Sequence, residues 1–294
     1  MENQKEIRQN QFICSWKIFF WEAVLFSLTL GLGIISAFKL SRFLKFQEIA
    51  LKQISFWEFL LYFLLTTLFI LAVSFLVRFK KGKRMIFKAI FVLAVILGGL
   101  ISLDLWMPDL LGLLFMFILI LAWLKNPLVF LHDFIMVLGL AGVGASLGLR
   151  VTPLLAVTLL MIFSIYDYIA VYKTKHMIKM AKEMLAEQAI LGFVIPQGIS
   201  GFKESLKEIK PGSRFLILGG GDVAFPLVLC ISLLPEGIIN SLIVALFALV
   251  GLFASFYFFI NQPYISTSGS RKPIPALPPI AFFSIIGFLI TLFL

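Results

Sequence analysis

The chain has 294 residues, 61% of them hydrophobic and only 14% charged, with a mean hydropathy of +1.05. Soluble domains run at roughly 45–50% apolar and about 25% charged, so a water-soluble globular protein is excluded. The net charge of +10 comes from loop Lys and Arg, which set membrane topology and meet anionic lipid; it gives no reason to invoke nucleic acid.

Apolar runs of about twenty residues recur along the whole length, as a helix needs to cross the hydrocarbon core, and they lack the alternation of a barrel strand. Bounded by charge, proline or turn residues, they predict an all-α polytopic membrane protein with nine transmembrane helices. The segments are 18–38, 56–77, 85–103, 110–124, 127–149, 153–172, 215–234, 238–260 and 276–294. The first is long and is followed by no small-residue cleavage site, so no cleavable signal peptide is expected. Glu22 and Glu58 fall near span ends, where interfacial solvation accounts for them, and Asp104 with Asp109 falls in a short outer loop.

Lys125-Asn126-Pro127 separates the fourth and fifth spans. The fifth carries His132-Asp133, read as a local polar pair, and Gly139, Gly142, Gly144 and Gly148, read as one small-residue face for helix packing. The sixth carries Tyr166-Asp167-Tyr168. Residues 173–214 then divide a six-span block (1–172) from a three-span block (215–294) as a cytoplasmic loop. Its outer parts are charged, while Ile190 to Ile195 is apolar and reads either as an amphipathic stretch on the membrane surface or as a flap near a site. The seventh span contains Gly219-Gly220-Gly221-Asp222, and the ninth opens with Pro273-Ile274-Pro275-Ala276-Leu277-Pro278-Pro279, too proline-dense for a regular helix start. Cys14 and Cys230 alone build neither a metal cluster nor a disulfide framework.

Nine spans place the termini on opposite sides. Of the 25 Lys and Arg, 20 fall on the side of the N-terminus, which puts that end in the cytoplasm and the C-terminus outside the cell membrane.

A carboxylate inside a span is costly and marks a site. Asp167 lies six residues before Lys173 and Asp222 eight residues after Arg214. At 1.5 Å of rise per residue these depths are roughly 9 and 12 Å, so two consecutive antiparallel helices carry one carboxylate each in the same layer, and Asp133 fits that layer too. Two close carboxylates share a proton, one acting as base on a water and the other as acid toward a carbonyl oxygen, with no metal or cofactor.

Tyr166-Asp167, Gly219-Gly220-Gly221-Asp222 and Pro275-Ala276-Leu277-Pro278 resemble, in order and in matching spans, the YD, GxGD and PAL motifs of the presenilin and signal peptide peptidase family of intramembrane aspartyl proteases. The resemblance implies hydrolysis of peptide bonds within the spans of membrane proteins or signal peptides. It makes Asp167 and Asp222 the catalytic pair, with Tyr166, Gly219, Gly220, Gly221, Pro275, Ala276, Leu277 and Pro278 shaping the site and binding substrate. The N-in, C-out orientation is similar to that of presenilin, which implies substrates with their N-terminus outside, and the compact loops suggest an archaeal homologue. An unwound substrate strand would add to an irregular edge near Ala276 and Leu277 or just before Arg214. The exposed helix faces leave room for a second copy or an accessory subunit.

Other membrane proteases fit less well: His132 and His176 make no H-E-x-x-H helix, there is no Gly-x-Ser-x-Gly, and prepilin-type peptidases lack the Pro-Ala-Leu segment. The alternative from a different class is a proton- or cation-coupled transporter with the aspartates as its ion site, although no internal repeat relates the two blocks.

Overall fold

The computed structural model describes residues 2–76, 80–104, 106–173, 190–209, 215–262 and 273–294. The charged arms 174–189 and 210–214 of the long loop, and the basic pair Arg271 and Lys272, lie outside the described residues. The described residues form nine α-helices: α1 (Glu2–Phe46), α2 (Phe56–Leu76), α3 (Lys80–Leu103), α4 (Asp109–Lys125), α5 (Val129–Gly148), α6 (Pro153–Tyr172), α7 (Gly220–Ser232), α8 (Ile238–Ile260) and α9 (Leu277–Thr291). Each falls on one of the nine apolar segments. Residues Trp16–Phe46 of α1, and α5, α6 and α8, are long and apolar enough to cross a membrane.

Local chemistry sets the helix starts. At α2, Ser55 Oγ accepts from Glu58 N at 3.2 Å while Glu58 Oε2 accepts from Ser55 N at 3.0 Å, a reciprocal capping box. The other oxygen of Glu58 pairs with Lys52 at 2.6 Å, so this carboxylate stays at the exposed end of its helix. At α6, Thr152 Oγ1 accepts from Leu155 N at 3.3 Å and Pro153 supplies the preset φ of a first helical residue.

Helix α5 is the hub, buried along most of its length and packed against α1, α3, α4 and α7. Its glycines explain how so many helices reach it, but they serve two neighbours rather than one face. A Cβ on Gly139 would press on Val95 of α3 and one on Gly142 would meet the Gly98 carbonyl, whereas Gly144 and Gly148 face Leu227 and Ile231 of α7. Between α3 and α5 the backbones themselves touch, and Ser102 Oγ donates to Leu138 O at 2.7 Å across the same contact. Helices α8 and α9 approach as closely, with Gly251 against Ile280 and the Pro279 carbonyl.

The chain is mostly helical, as expected, and to the helices is added a two-stranded antiparallel sheet, β1 (Gly192–Pro196) with β2 (Phe215–Gly219), in the register Gly192 to Gly219 and Pro196 to Phe215. The first five residues of the expected seventh span are therefore a strand, and helical rise does not measure the depth of Asp222. Residues Phe193, Val194 and Ile195 are fully buried in the core, which overturns the surface-lying reading of 190–195. Short apolar runs look alike in helix and strand; here pairing across the chain decides.

Candidate active site

Helix α6 carries Asp167 inward. Its neighbours Tyr166 and Tyr168 are exposed; successive helical residues turn by about 100°, and α6 packs on the side that carries Asp167. Asp167 is 5% exposed, Tyr166 is 58% exposed, and neither tyrosine hydroxyl bonds to a described residue. Tyr168 packs edge-on against Tyr172.

Strand β2 runs without interruption into α7. Gly219 is the N-cap, and Asp222, three residues on, lies in the first turn with 6% exposure. The Gly219 N–H is turned toward the Asp222 carboxyl, and a Cβ on Gly219 would lie 2.9 Å from Asp222 Oδ2. Asp222 holds the position that an acidic residue takes in a capping box, three residues after the N-cap. A Cβ on Gly220 would crowd the Leu191 carbonyl at 3.1 Å, which accepts from Gly220 N at 2.9 Å. Two of the three glycines thus serve close approach of the sheet and the carboxylate.

The proline-rich segment meets Asp167. Leu277, the first residue of α9, donates its N–H to Asp167 Oδ2 at 3.3 Å, while Asp167 Oδ1 is buried without a partner. The segment contributes an N–H, available because Leu277, like Ala276, is a non-proline residue between Pro275 and Pro278. The free N–H groups of a helix start attract a carboxylate. Ala276 is the N-cap beside it.

Asp167 and Asp222 lie within electrostatic reach of each other, on α6 and α7, which pack together and against α9. Glu22 was assigned to a span end, but on α1 it is 5% exposed, lies within electrostatic reach of Asp222, and leaves Oε2 without a hydrogen bond. The signal for it was available: Glu22 stands five residues after Lys17, about the spacing that placed Asp167 below Lys173.

His132 and Asp133 are not a local pair. Both reach away from α5 to strand β1, Nε2 of His132 to the Gly192 carbonyl at 3.0 Å and Asp133 Oδ1 to Val194 N at 2.8 Å.

The model of the family described as signal-peptide peptidase, presenilin aspartyl protease matches residues 23–294. The chain belongs to this family. Two solved structures, each described as a presenilin family intramembrane aspartate protease, share its fold. One, in space group C222, is 21% identical with a TM-score of 0.60, covering 94% of this chain and 97% of the other. The other, in space group P2, is 24% identical with a TM-score of 0.56 and covers 90% and 95%. No curated protein matches the chain. Membership of the signal-peptide peptidase and presenilin family makes this a multi-pass membrane aspartyl protease by descent.

As a neighbour of Asp222 that carries no family motif, Glu22 is expected to modulate rather than perform the chemistry. Glu22→Gln should keep kcat for a single-span substrate within about tenfold of wild type, the scale of one partly screened charge interaction. A loss as deep as that of an aspartate variant would make Glu22 a member of the catalytic set.

Proposed function

We propose that the chain hydrolyses peptide bonds inside transmembrane segments of membrane proteins or signal peptides, with Asp167 and Asp222 as a GxGD-type catalytic pair acting on water. What supports this reading is that two packed helices, α6 and α7, each bury one aspartate, and one of the two is held by the Leu277 N–H of the Pro275 to Pro278 segment.

In this chemistry the dyad holds one proton. The ionised carboxylate takes a proton from water as its oxygen attacks the scissile carbonyl carbon, and the protonated carboxyl gives its proton to the carbonyl oxygen. The resulting gem-diol collapses as the amide nitrogen takes a proton from one carboxyl, the C–N bond breaks, and the other carboxylate recovers a proton from a diol hydroxyl. An acid and an amine leave, and the dyad again holds one proton.

A substrate helix must unwind first, because its carbonyls are committed to its own hydrogen bonds. The sheet offers the unwound segment a partner. Strand β2 is bonded to β1 along one edge, and the N–H and C=O groups of Phe215 and Ile217 on the other edge pair with no described residue. A substrate strand added there would pass the first turn of α7 that carries Asp222. In our reading all nine helices span the membrane, the N-terminus is cytoplasmic, and substrates with their N-terminus outside are preferred.

Cleavage of a single-span substrate by purified protein in detergent, with and without an aspartyl-protease transition-state analogue, tests this. Cleavage blocked by the analogue supports the reading. The transporter alternative draws on Glu22, a further buried carboxylate beside the two aspartates. An intact substrate together with proton or cation flux in liposomes would favour it.

A further inference from the structure

Resting on the proposed cleavage reaction, the contact between α5 and the sheet raises a question that fold stability does not answer. His132 and Asp133 are fully buried in a membrane bundle, where an ionisable side chain is costly. Each makes a bond to β1 and leaves a second polar atom, His132 Nδ1 and Asp133 Oδ2, buried without a partner. Apolar residues would fill the same space without that cost.

The pattern of the bonds shows what the polar pair achieves. Backbone groups alternate along a strand, so those of Gly192 and Val194 point to one edge and those of Leu191, Phe193 and Ile195 to the other. The second edge bonds β2 and, through the Leu191 carbonyl, Gly220 N. On the first edge His132 Nε2–H donates to the Gly192 carbonyl and Asp133 accepts from Val194 N–H, where a third strand would otherwise lie. Two contacts on alternate residues define a register. A slip that brought the next outward-facing residue to Asp133 would present Pro196, which has no N–H to give. The ring of His132 is itself fixed by stacking on Phe91, at 5.6 Å between centroids, and on Trp123 at 6.2 Å. The entry to α5 is tied down as well, with Val129 N donating to Glu204 O and Leu206 N to Pro127 O.

We propose that His132 and Asp133 are positioning residues that lock β1 in register, and thereby fix the open edge of β2, so that a substrate strand presents one particular bond to the dyad. Neither touches the reacting atoms. They act through β1 on β2, and Asp222 follows β2 by three residues.

The test is the distribution of cleavage sites. Wild type should cut a single-span substrate at one principal bond. Asp133→Ala should raise KM by about tenfold, the scale of one lost hydrogen bond to an ionisable group, and spread the products over neighbouring bonds. Asp133→Asn keeps an oxygen for Val194 N–H and should restore both the KM and the single site. His132→Phe, which keeps the aromatic stack and loses the bond to Gly192, serves as the second variant if Asp133→Ala does not fold, and should show the same spread. Binding of a short transition-state analogue that engages only the dyad should be unchanged in each. If wild type cuts nothing, the proposed function itself has failed. If wild type cuts, and folded Asp133→Ala or His132→Phe cuts the same bond at the same KM, this inference alone is overturned.

Discussion

Asp167→Asn and Asp222→Asn are each expected to lower kcat for a single-span substrate by at least about 10²–10⁴-fold, the contribution of a positioned acid or base. Asn matches the shape of the carboxyl but cannot carry or pass on the dyad proton. At Asp167 the substitution also separates chemistry from structure. The side-chain oxygen of Asn can still accept from Leu277 N, the bond that ties α6 to the start of α9. The thermal midpoint should therefore hold in Asp167→Asn and fall in Asp167→Ala, which leaves a buried N–H unpaired at a cost of about 1–3 kcal/mol. Steady-state kinetics beside thermal unfolding in the same detergent checks both statements. Equal kcat in wild type and either Asn variant would remove the aspartates from the reaction.

The second large effect is on the fold. Gly142→Ala drives a methyl group into the Gly98 carbonyl of α3 and to within 2.9 Å of Ser102 Oγ. No flexible side chain is there to yield. The two helices must separate, with an overpacking cost of about 1–3 kcal/mol and a further ~1 kcal/mol if the Ser102 to Leu138 hydrogen bond breaks. Gly31→Ala in α1 is the matched comparison, because a Cβ there has nothing within 4 Å. Alanine at that site removes a helix-interior glycine and should gain up to about 1 kcal/mol. Thermal unfolding should thus move in opposite directions for the same chemical change. A Gly142→Ala protein as stable as wild type would show that the α3 and α5 contact is looser than described.

The helices were legible because each apolar segment is long, and its ends carry charge, proline or a capping pair such as Ser55 and Glu58. The aspartates were legible because so few carboxylates interrupt apolar sequence. Phe215 to Gly219 was not legible as a strand. Five apolar residues suit either structure, and the partner that decides, Gly192 to Pro196, lies across a loop whose charged arms suggested a surface. The same long-range pairing hid the role of His132 and Asp133. Adjacent on one helix, they read as each other's partners, and only the position of β1 shows that both bond the strand instead. Tyr166 is drawn into the site by sequence adjacency to Asp167, whereas at this point of α6 a turn of about 100° carries it from the buried side to the exposed one. Glu22 was set aside because the start of the span was put at 18, whereas α1 is helical from Glu2 and carries Glu22 well within it.

The most direct test of the central claim is mass spectrometry of a single-span substrate after incubation, in liposomes, with wild type and with the Asp167→Asn/Asp222→Asn double variant side by side. Wild type should yield two complementary fragments, joined at a bond inside the apolar span, and the double variant should leave the substrate intact. The same fragments from both proteins, or cuts confined to the water-exposed flanks, would contradict the claim.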